Sequence, residues 1–327
     1  MKRDSVKDPS ESSNLQKQIY ISSISYAVGE TKSISDLEEL QSNNKLLDTM
    51  LKLGINNYCD SNLHSTQLAS TVIADSLLKS KIKADEIGAV IYCSDSVSSK
   101  LSDYTKEMMY TNGLDNAFLI GVRLSDCSNF ITGLRTACSY LNCENIENIL
   151  VVVSDTFIEQ DTDSRLVYPT LGVFSDGAAS CILSTSQSEI ELCNIVQKWD
   201  WSTHCLVEDE LELINSMSKG IKNLSDQLRT ELDDKPQQTE LITNNYNEFA
   251  LRSLAELSGF YPSPICTTNI NKYGHVFSAD GLINLLQLFE LEKFSSSAKN
   301  VVLLGNSTSI WSGALIKIHP SIIGEQG

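Results

Sequence analysis

The chain has 327 residues, 41% of them apolar, and carries 42 Asp and Glu against 25 Lys and Arg, a formal charge of −17. That length buries a large core in two domains or one two-part fold. The negative charge argues against nonspecific nucleic-acid binding, which draws on Lys and Arg neutralising phosphates, and it repels anionic membrane surfaces. No apolar run approaches the roughly 18 residues of a membrane span.

Residues 1–18 carry charges but no apolar signal-peptide core and read as a disordered polar tail. The nine cysteines are odd in number, scattered and without CxxC spacing, which fits a reducing cytoplasm. Ile19–Ile24 reads as a first strand. Leu68, Val72, Ile73, Leu77 and Leu78 give an amphipathic helix, and Ala89–Cys93 a strand. Asn148–Val153 is short and apolar enough for a buried strand. Gly172–Leu183 reads as a tight turn leading into another. Glu189–Val196 is strand-like, and Ile214, Met217, Ile221, Leu224 and Leu228 mark a helix by alternating steps of three and four, ended by Asp233–Pro236. Leu241–Thr243 is a short strand before a helix near Tyr246–Leu257. Another helix covers Gly281–Glu290, and strands at Val301–Leu304 and Gly313–Ile318 close the chain. Strands alternating with helices indicate a layered α/β protein of two similar halves joined near residues 184–190.

In Gly121-Val-Arg-Leu-Ser-Asp-Cys-Ser-Asn-Phe130 an apolar run delivers Cys127 to a helix start. Ser125 and Asp126 are capping types, and Phe130, Leu134, Ala137, Cys138 and Leu141 recur at helical spacing. Unpaired amides and the positive end of the helix dipole favour a thiolate there. A buried structural cysteine is the alternative on these residues alone.

Ser-Asp-Cys-Ser-Asn-Phe130, Val173-Phe-Ser-Asp-Gly-Ala-Ala179, Asn271-Lys-Tyr-Gly-His-Val-Phe-Ser-Ala-Asp280 and Trp311-Ser-Gly-Ala-Leu315, in this order and spacing, resemble β-ketoacyl-acyl carrier protein synthase III and its thiolase-fold relatives. No single motif is decisive, but together they run from about Ile19 to Ile318. The resemblance implies a thiolase-like five-layered α-β-α-β-α fold built from two related halves, residues 19–187 with the nucleophile and 188–327 with its catalytic partners. It also implies a homodimer, with a heterodimer as the alternative, and a nucleophilic Cys127. That cysteine takes an acyl group from a coenzyme A or acyl carrier protein thioester and yields it to a second substrate, with no permanently bound cofactor.

Several positions depart from the family pattern. Thr243-Asn-Asn-Tyr-Asn247 stands where the family has its proline-histidine-glutamine segment, so Asn244 takes the histidine position, and His275 replaces an asparagine on the later segment. Decarboxylative condensation needs two donors on an enolate oxygen, whereas acyl transfer needs one base beside the cysteine. His275 is the expected base and Asn244 the second catalytic candidate. Asn247 is expected to support the site by hydrogen bonds, and Asp280 either orients His275 or, as the favoured reading, caps the helix near Gly281. Asn306-Ser-Thr-Ser309 replaces the family's consecutive glycines, leaving an oxyanion-hole amide to Ser307 or Thr308. Phe249 stands at the family's docking arginine, with Arg252 as a substitute.

Cys59 with His64, and His204 with Cys205, form no four-ligand metal set, and Asp176 fits a turn. No nucleotide fingerprint appears. Three functions remain: a cysteine-dependent acyltransferase or condensing enzyme of specialised metabolism, a decarboxylative synthase of fatty acid or polyketide initiation, and a silent subunit of a heterodimer.

Overall fold

The computed structural model describes residues 17–96, 100–160, 162–168, 170–206, 210–232, 239–292 and 297–320. The expected tail up to residue 16 and the helix-ending segment Asp233–Pro236 lie outside the described residues.

The chain opens with β1 (Ile19–Val28), β2 (Glu30–Ser33), α1 (Glu38–Gln41), α2 (Asn44–Lys52), β3 (Asn57–Asp60), α3 (Ser65–Ser80) and β4 (Ala89–Cys93). It continues through α4 (Leu101–Thr111), β5 (Phe118–Val122), α5 (Asn129–Cys143), β6 (Asn148–Asp155), β7 (Leu166–Val167), β8 (Gly172–Val173) and β9 (Gly177–Ser184). The remainder forms β10 (Ile190–Trp199), α6 (Glu210–Arg229), β11 (Thr239–Ile242), α7 (Glu248–Leu257), α8 (Ile270–Tyr273), α9 (Asp280–Glu292), β12 (Lys299–Asn306) and β13 (Ile310–Ile318).

Nine strands share one hydrogen-bonded sheet in the order β11-β12-β13-β10-β1-β9-β6-β4-β5. The first residues of β1, Ile19–Ile21, join its two wings by pairing antiparallel with β10 and β9. A register shift between Ser22 and Ser25, with Ser23 at φ +53°, then bends the strand, as a bulge does. Helix α5 packs on β4 and β6 and also on β10, β12 and β13, so the wings face each other across it, with α9 beside it on β1, β9, β11 and β12. Helices α3 and α4 cover one outer face, and α6 and α7 the other. The result is the α-β-α-β-α stack of five layers.

Strand β4 is buried at every position, as a parallel strand covered on both faces must be. The central layer is filled from both wings by Phe130, Leu134, Val151, Ile283, Leu303 and Ala314, and a buried Leu or Ile contributes roughly 1.5–3 kcal/mol relative to exposure. On α3, Leu68, Val72 and Ile73 are buried, whereas Leu78 faces solvent. Ser76 takes the inward position instead, donating to Ser23 O in the β1 bend at 2.7 Å. No helix among the described residues is long and apolar enough to cross a membrane.

Candidate active site

Between β5 and α5 the chain makes a 3-10 turn over Asp126–Ser128, which holds Cys127 just before the α5 N-terminus. Ser125 supplies no side-chain cap. Asn129 does the reverse, its Oδ1 accepting from Ser125 N at 3.1 Å. Leu124 and Asp126 adopt left-handed φ of +68° and +46°, each costing on the order of 1–3 kcal/mol for a non-glycine residue. The surroundings impose this: Asp95 accepts from Leu124 N at 3.0 Å and from Asn129 Nδ2 at 2.6 Å. Ser128 Oγ donates to Gly305 O at 2.7 Å. A Cβ on Gly305 would lie 2.9 Å from Cys127 O, so only glycine lets β12 pass this close.

The second segment arrives through α8 and Gly274, whose φ of +67° and lack of a Cβ, which would sit 2.9 Å from Val173 O, fit it against β8. His275 is then locked in place, its N donating to Val173 O and its O accepting from Ser175 N, both at 2.9 Å. Its Nε2 lies 3.1 Å from Cys127 Sγ, and its Nδ1 contacts Asp280 Oδ2 at 2.5 Å. Both His275 and Asp280 are 0% exposed. Asp280 also accepts from Asn245 N, Asn245 Nδ2 and Val276 N at 2.7, 2.9 and 2.9 Å. Phe174 and Tyr246 pack on the imidazole with centroids at 5.4 and 5.1 Å. Burial alone would lower the His275 pKa, but the adjacent Cys127 sulfur and Asp280 carboxylate outweigh it and raise it to about 10.

The favoured helix-cap reading of Asp280 is corrected: its carboxylate is turned back to His275, Val276 and Asn245. Asn244 is buried beside Cys127, but its Nδ2 faces the carbonyls of Cys127 and Phe277 and its Oδ1 faces Asn306 N, all at 3.4 Å. It braces three loops. Asn247 caps α7 through Ala250 N at 2.8 Å and donates to Thr170 O at 2.7 Å, tying down the cleft wall. Ser307 and Thr308 line the cleft with Cys127. The Ser307 amide, however, donates to Ile310 O at 2.8 Å. It closes the β12–β13 turn, so the oxyanion role expected of it is corrected.

Three residues escaped the sequence reading. Asn245, at the family's glutamine position, clamps Asp280. Tyr246 faces the cysteine, and burial followed by the charge and hydrogen bond of Cys127 pushes its pKa well up. Asp126 lines the cleft next to Cys127. Its position beside Cys127 is the signal in the sequence, and its residue type points equally to a helix cap. Elsewhere, Arg252 is exposed and lies 3.8 Å from Glu248. Asp176 holds the buried Arg165, a structural use. No group of three metal-ligating side chains lies together among the described residues.

The cleft encloses about 330 Å³. Val167, Leu171, Phe174 and Phe277 form its apolar side, and Asp95, Asp126, Asn306 and Ser307 are among its polar groups.

The family model for 3-oxoacyl-[acyl-carrier-protein] synthase III matches residues 124–200. The β-ketoacyl-[acyl-carrier-protein] synthases III of Bartonella tribocorum and Bartonella henselae are 29% and 27% identical over 114 residues, 35% of this chain. The chain thus spans about a third of the length of the curated relatives it matches, 34% of each. Among solved structures, ChlB3, described as an acyltransferase, superposes with a TM-score of 0.79 at 14% identity, covering 93% of this chain and 98% of its own. Cerulenin-bound OleA of Xanthomonas campestris gives 0.75 at 18% identity over 92% and 98%. The synthase III of Aquifex aeolicus gives 0.73 at 16% over 91% and 99%. The family match over the cysteine segment and this fold over nearly the whole chain make the protein similar to synthase III and to the thiolase-fold structures that share its architecture.

Proposed function

We propose that the protein is a cysteine-dependent acyltransferase or condensing enzyme of specialised metabolism, acting in the cytoplasm without a resident cofactor. Cys127 takes an acyl group from a carrier-protein or coenzyme A thioester and passes it to a second substrate. The observation that carries this reading is the Cys127–His275–Asp280 line, with Sγ 3.1 Å from Nε2 and Nδ1 held by Asp280.

In this mechanism His275 starts as an imidazolium opposite the sulfur. Attack of the Cys127 sulfur on the thioester carbonyl forms the new C–S bond and expels the donor thiolate, which takes the His275 proton. The acylated sulfur no longer carries charge, so the main influence holding the proton on His275 is gone. Neutral imidazole then removes a proton from the acceptor as its nucleophile attacks, and expulsion of the Cys127 thiolate restores the starting pair. Asp280 keeps Nδ1 protonated and Nε2 aimed at the sulfur throughout.

A decarboxylative synthase draws less support, because Asn244 directs its amide at backbone groups, which leaves His275 without a second donor for an enolate oxygen. A silent subunit has no use for an oriented cysteine and histidine. The homodimer expectation draws support from β5, the sheet edge, where Phe118 is 68% and Leu119 40% exposed, with Leu124 at 77% just beyond.

Intact-protein mass spectrometry after incubation with acyl thioesters tests this reading. Mass increments that vanish in Cys127→Ala support it, and absence of any adduct from a panel of acyl donors refutes it. Release of carbon dioxide from added malonyl thioester would transfer the case to the decarboxylative reading.

A further inference from the structure

Asp95, Asp126, Gln160, Asn306, Ser307 and Thr308 are among the polar side chains lining the cleft. Asp95 and Asp126 are the only charged side chains among the described residues lining it. Asn306 lines it too, with its Oδ1 buried and without a partner among the described residues. Asp95 is already occupied by Leu124 N and the Asn129 side chain. Asp126, next to the nucleophile, is exposed at the cleft rim. Crowding of its carboxylate in the cleft wall, then the Asp95 charge, raise its pKa, while the Ser307 hydroxyl lowers it. The Asp126 carboxylate and an unpaired carbonyl oxygen, with no cationic side chain lining the cleft among the described residues, make a site for a donor-rich, positively charged group. The overall charge of −17 steers cations toward such a cleft.

Resting on the acyl-transfer reading above, we infer that the acceptor is a primary amine, bound as its ammonium by Asp126 and Asn306, and that Asp126 and His275 each remove one of the two protons that must leave its nitrogen. The ammonium gives its first proton to Asp126, freeing the lone pair. The nitrogen attacks the acyl carbon, the C–N bond forms, and the C–S bond to Cys127 breaks with its electron pair returning to sulfur. The second proton passes to neutral His275, and the Asp126 carboxyl returns its proton to solvent. The products are an amide, a thiolate and an imidazolium, with no oxidant or reductant involved. A hydroxyl acceptor loses one proton, for which His275 suffices, so Asp126 sets the preference for nitrogen.

The test uses the full chain, a thioester donor that loads Cys127, and a panel of primary amines (butyl, 2-phenylethyl, 2-hydroxyethyl), each paired with the alcohol of the same skeleton. The loaded enzyme is expected to use at least one amine over its alcohol, and Asp126→Asn to lower that kcat/KM ratio by about tenfold or more through the amine rate. Asparagine tolerates the left-handed backbone, and if that variant misfolds, Asn306→Leu is expected to lower the ratio in the same direction. Independently, 2-phenylethylammonium is expected to slow alkylation of Cys127 by iodoacetamide in the wild type, and the alcohol is not. A loaded enzyme that uses no amine in the panel, or no better than the alcohol, overturns the inference. So does a folded variant that leaves the ratio unchanged. Failure of the acyl-transfer reading appears earlier, as absence of loading before any acceptor is added, and takes this inference with it.

Discussion

Asp280 stands five residues beyond His275 and holds its Nδ1 at 2.5 Å, while Asn245 grips the same carboxylate from a separate segment. The imidazole therefore presents one nitrogen to Cys127 in one orientation. Asp280→Asn keeps the size but offers an amide that presents either a donor or an uncharged oxygen to Nδ1. The flipped tautomer would turn an N–H toward the acyl-enzyme and leave no base. We expect acyl transfer to fall by on the order of 10²–10⁴, with loading still detectable by mass. Unchanged turnover with the amide would remove Asp280 from the mechanism.

Charge on the Cys127 sulfur leads the influences that raise the His275 pKa to about 10, against a burial effect that lowers it. The imidazolium is the dominant form below that value and is lost as pH rises through it. Alkylating Cys127 with iodoacetamide removes the sulfur's charge, so burial gains weight and the pKa moves down. Nitrogen NMR of His275 is expected to show an imidazolium at pH 8 in the free enzyme and a largely neutral ring after alkylation. A titration unchanged by alkylation would show that the pair is not coupled.

The parts legible in sequence are those where composition alone decides. Strands β4 and β6 read as continuous apolar runs because both faces are covered, and Cys127 was visible because an apolar strand and a helical period bracket it. Asp280 was misread because an aspartate at a helix start is ordinarily a cap. Only the folded chain shows that its carboxylate turns back to an imidazole. Ser307 failed for a similar reason, since turn closure by its amide leaves no trace in residue identity. The two-residue strands β7 and β8 are too short to show a period, yet β8 carries the carbonyl that fixes His275.

Strand β5 pairs with β4 along one side and stands at the end of the sheet, with Phe118 and Leu119 exposed. An open apolar edge is a template for another strand, and a two-fold axis across it would pair the strand with its own copy. Light scattering is expected to give a dimer for the wild type and a monomer for Phe118→Asp, since like charges facing across the axis repel. Activity is expected to fall with the dimer, because this strand leads directly into the Cys127 turn. A dimer that survives the substitution would place the interface elsewhere.

Asp155 is 2% exposed, and its Oδ1 accepts from Asp95 N at 2.8 Å, Ser96 N at 3.0 Å, Ser94 Oγ at 3.1 Å and Ser96 Oγ at 3.2 Å. Burial, then the Asp95 charge, raise its pKa from 3.8 to about 7 despite these bonds. A folded-state pKa above the unfolded one means that the native protein holds a proton that the unfolded chain has released. This contribution is full below about pH 3.8 and is lost as pH rises through about 7. At about 1.4 kcal/mol per pKa unit the loss reaches up to about 4 kcal/mol by pH 8. Because all four bonds converge on one oxygen, Asp155→Asn keeps an acceptor in place and carries no charge to bury. Its melting temperature is expected to exceed that of the wild type by about 2 °C or more at pH 8, with the advantage shrinking or reversing at pH 5. A variant less stable at pH 8 and parallel to the wild type across this range would show that the carboxylate is not strained by its burial. The consequence reaches the active site, because the backbone held by Asp155 carries Asp95, whose side chain fixes Leu124 and Asn129 on either side of Cys127.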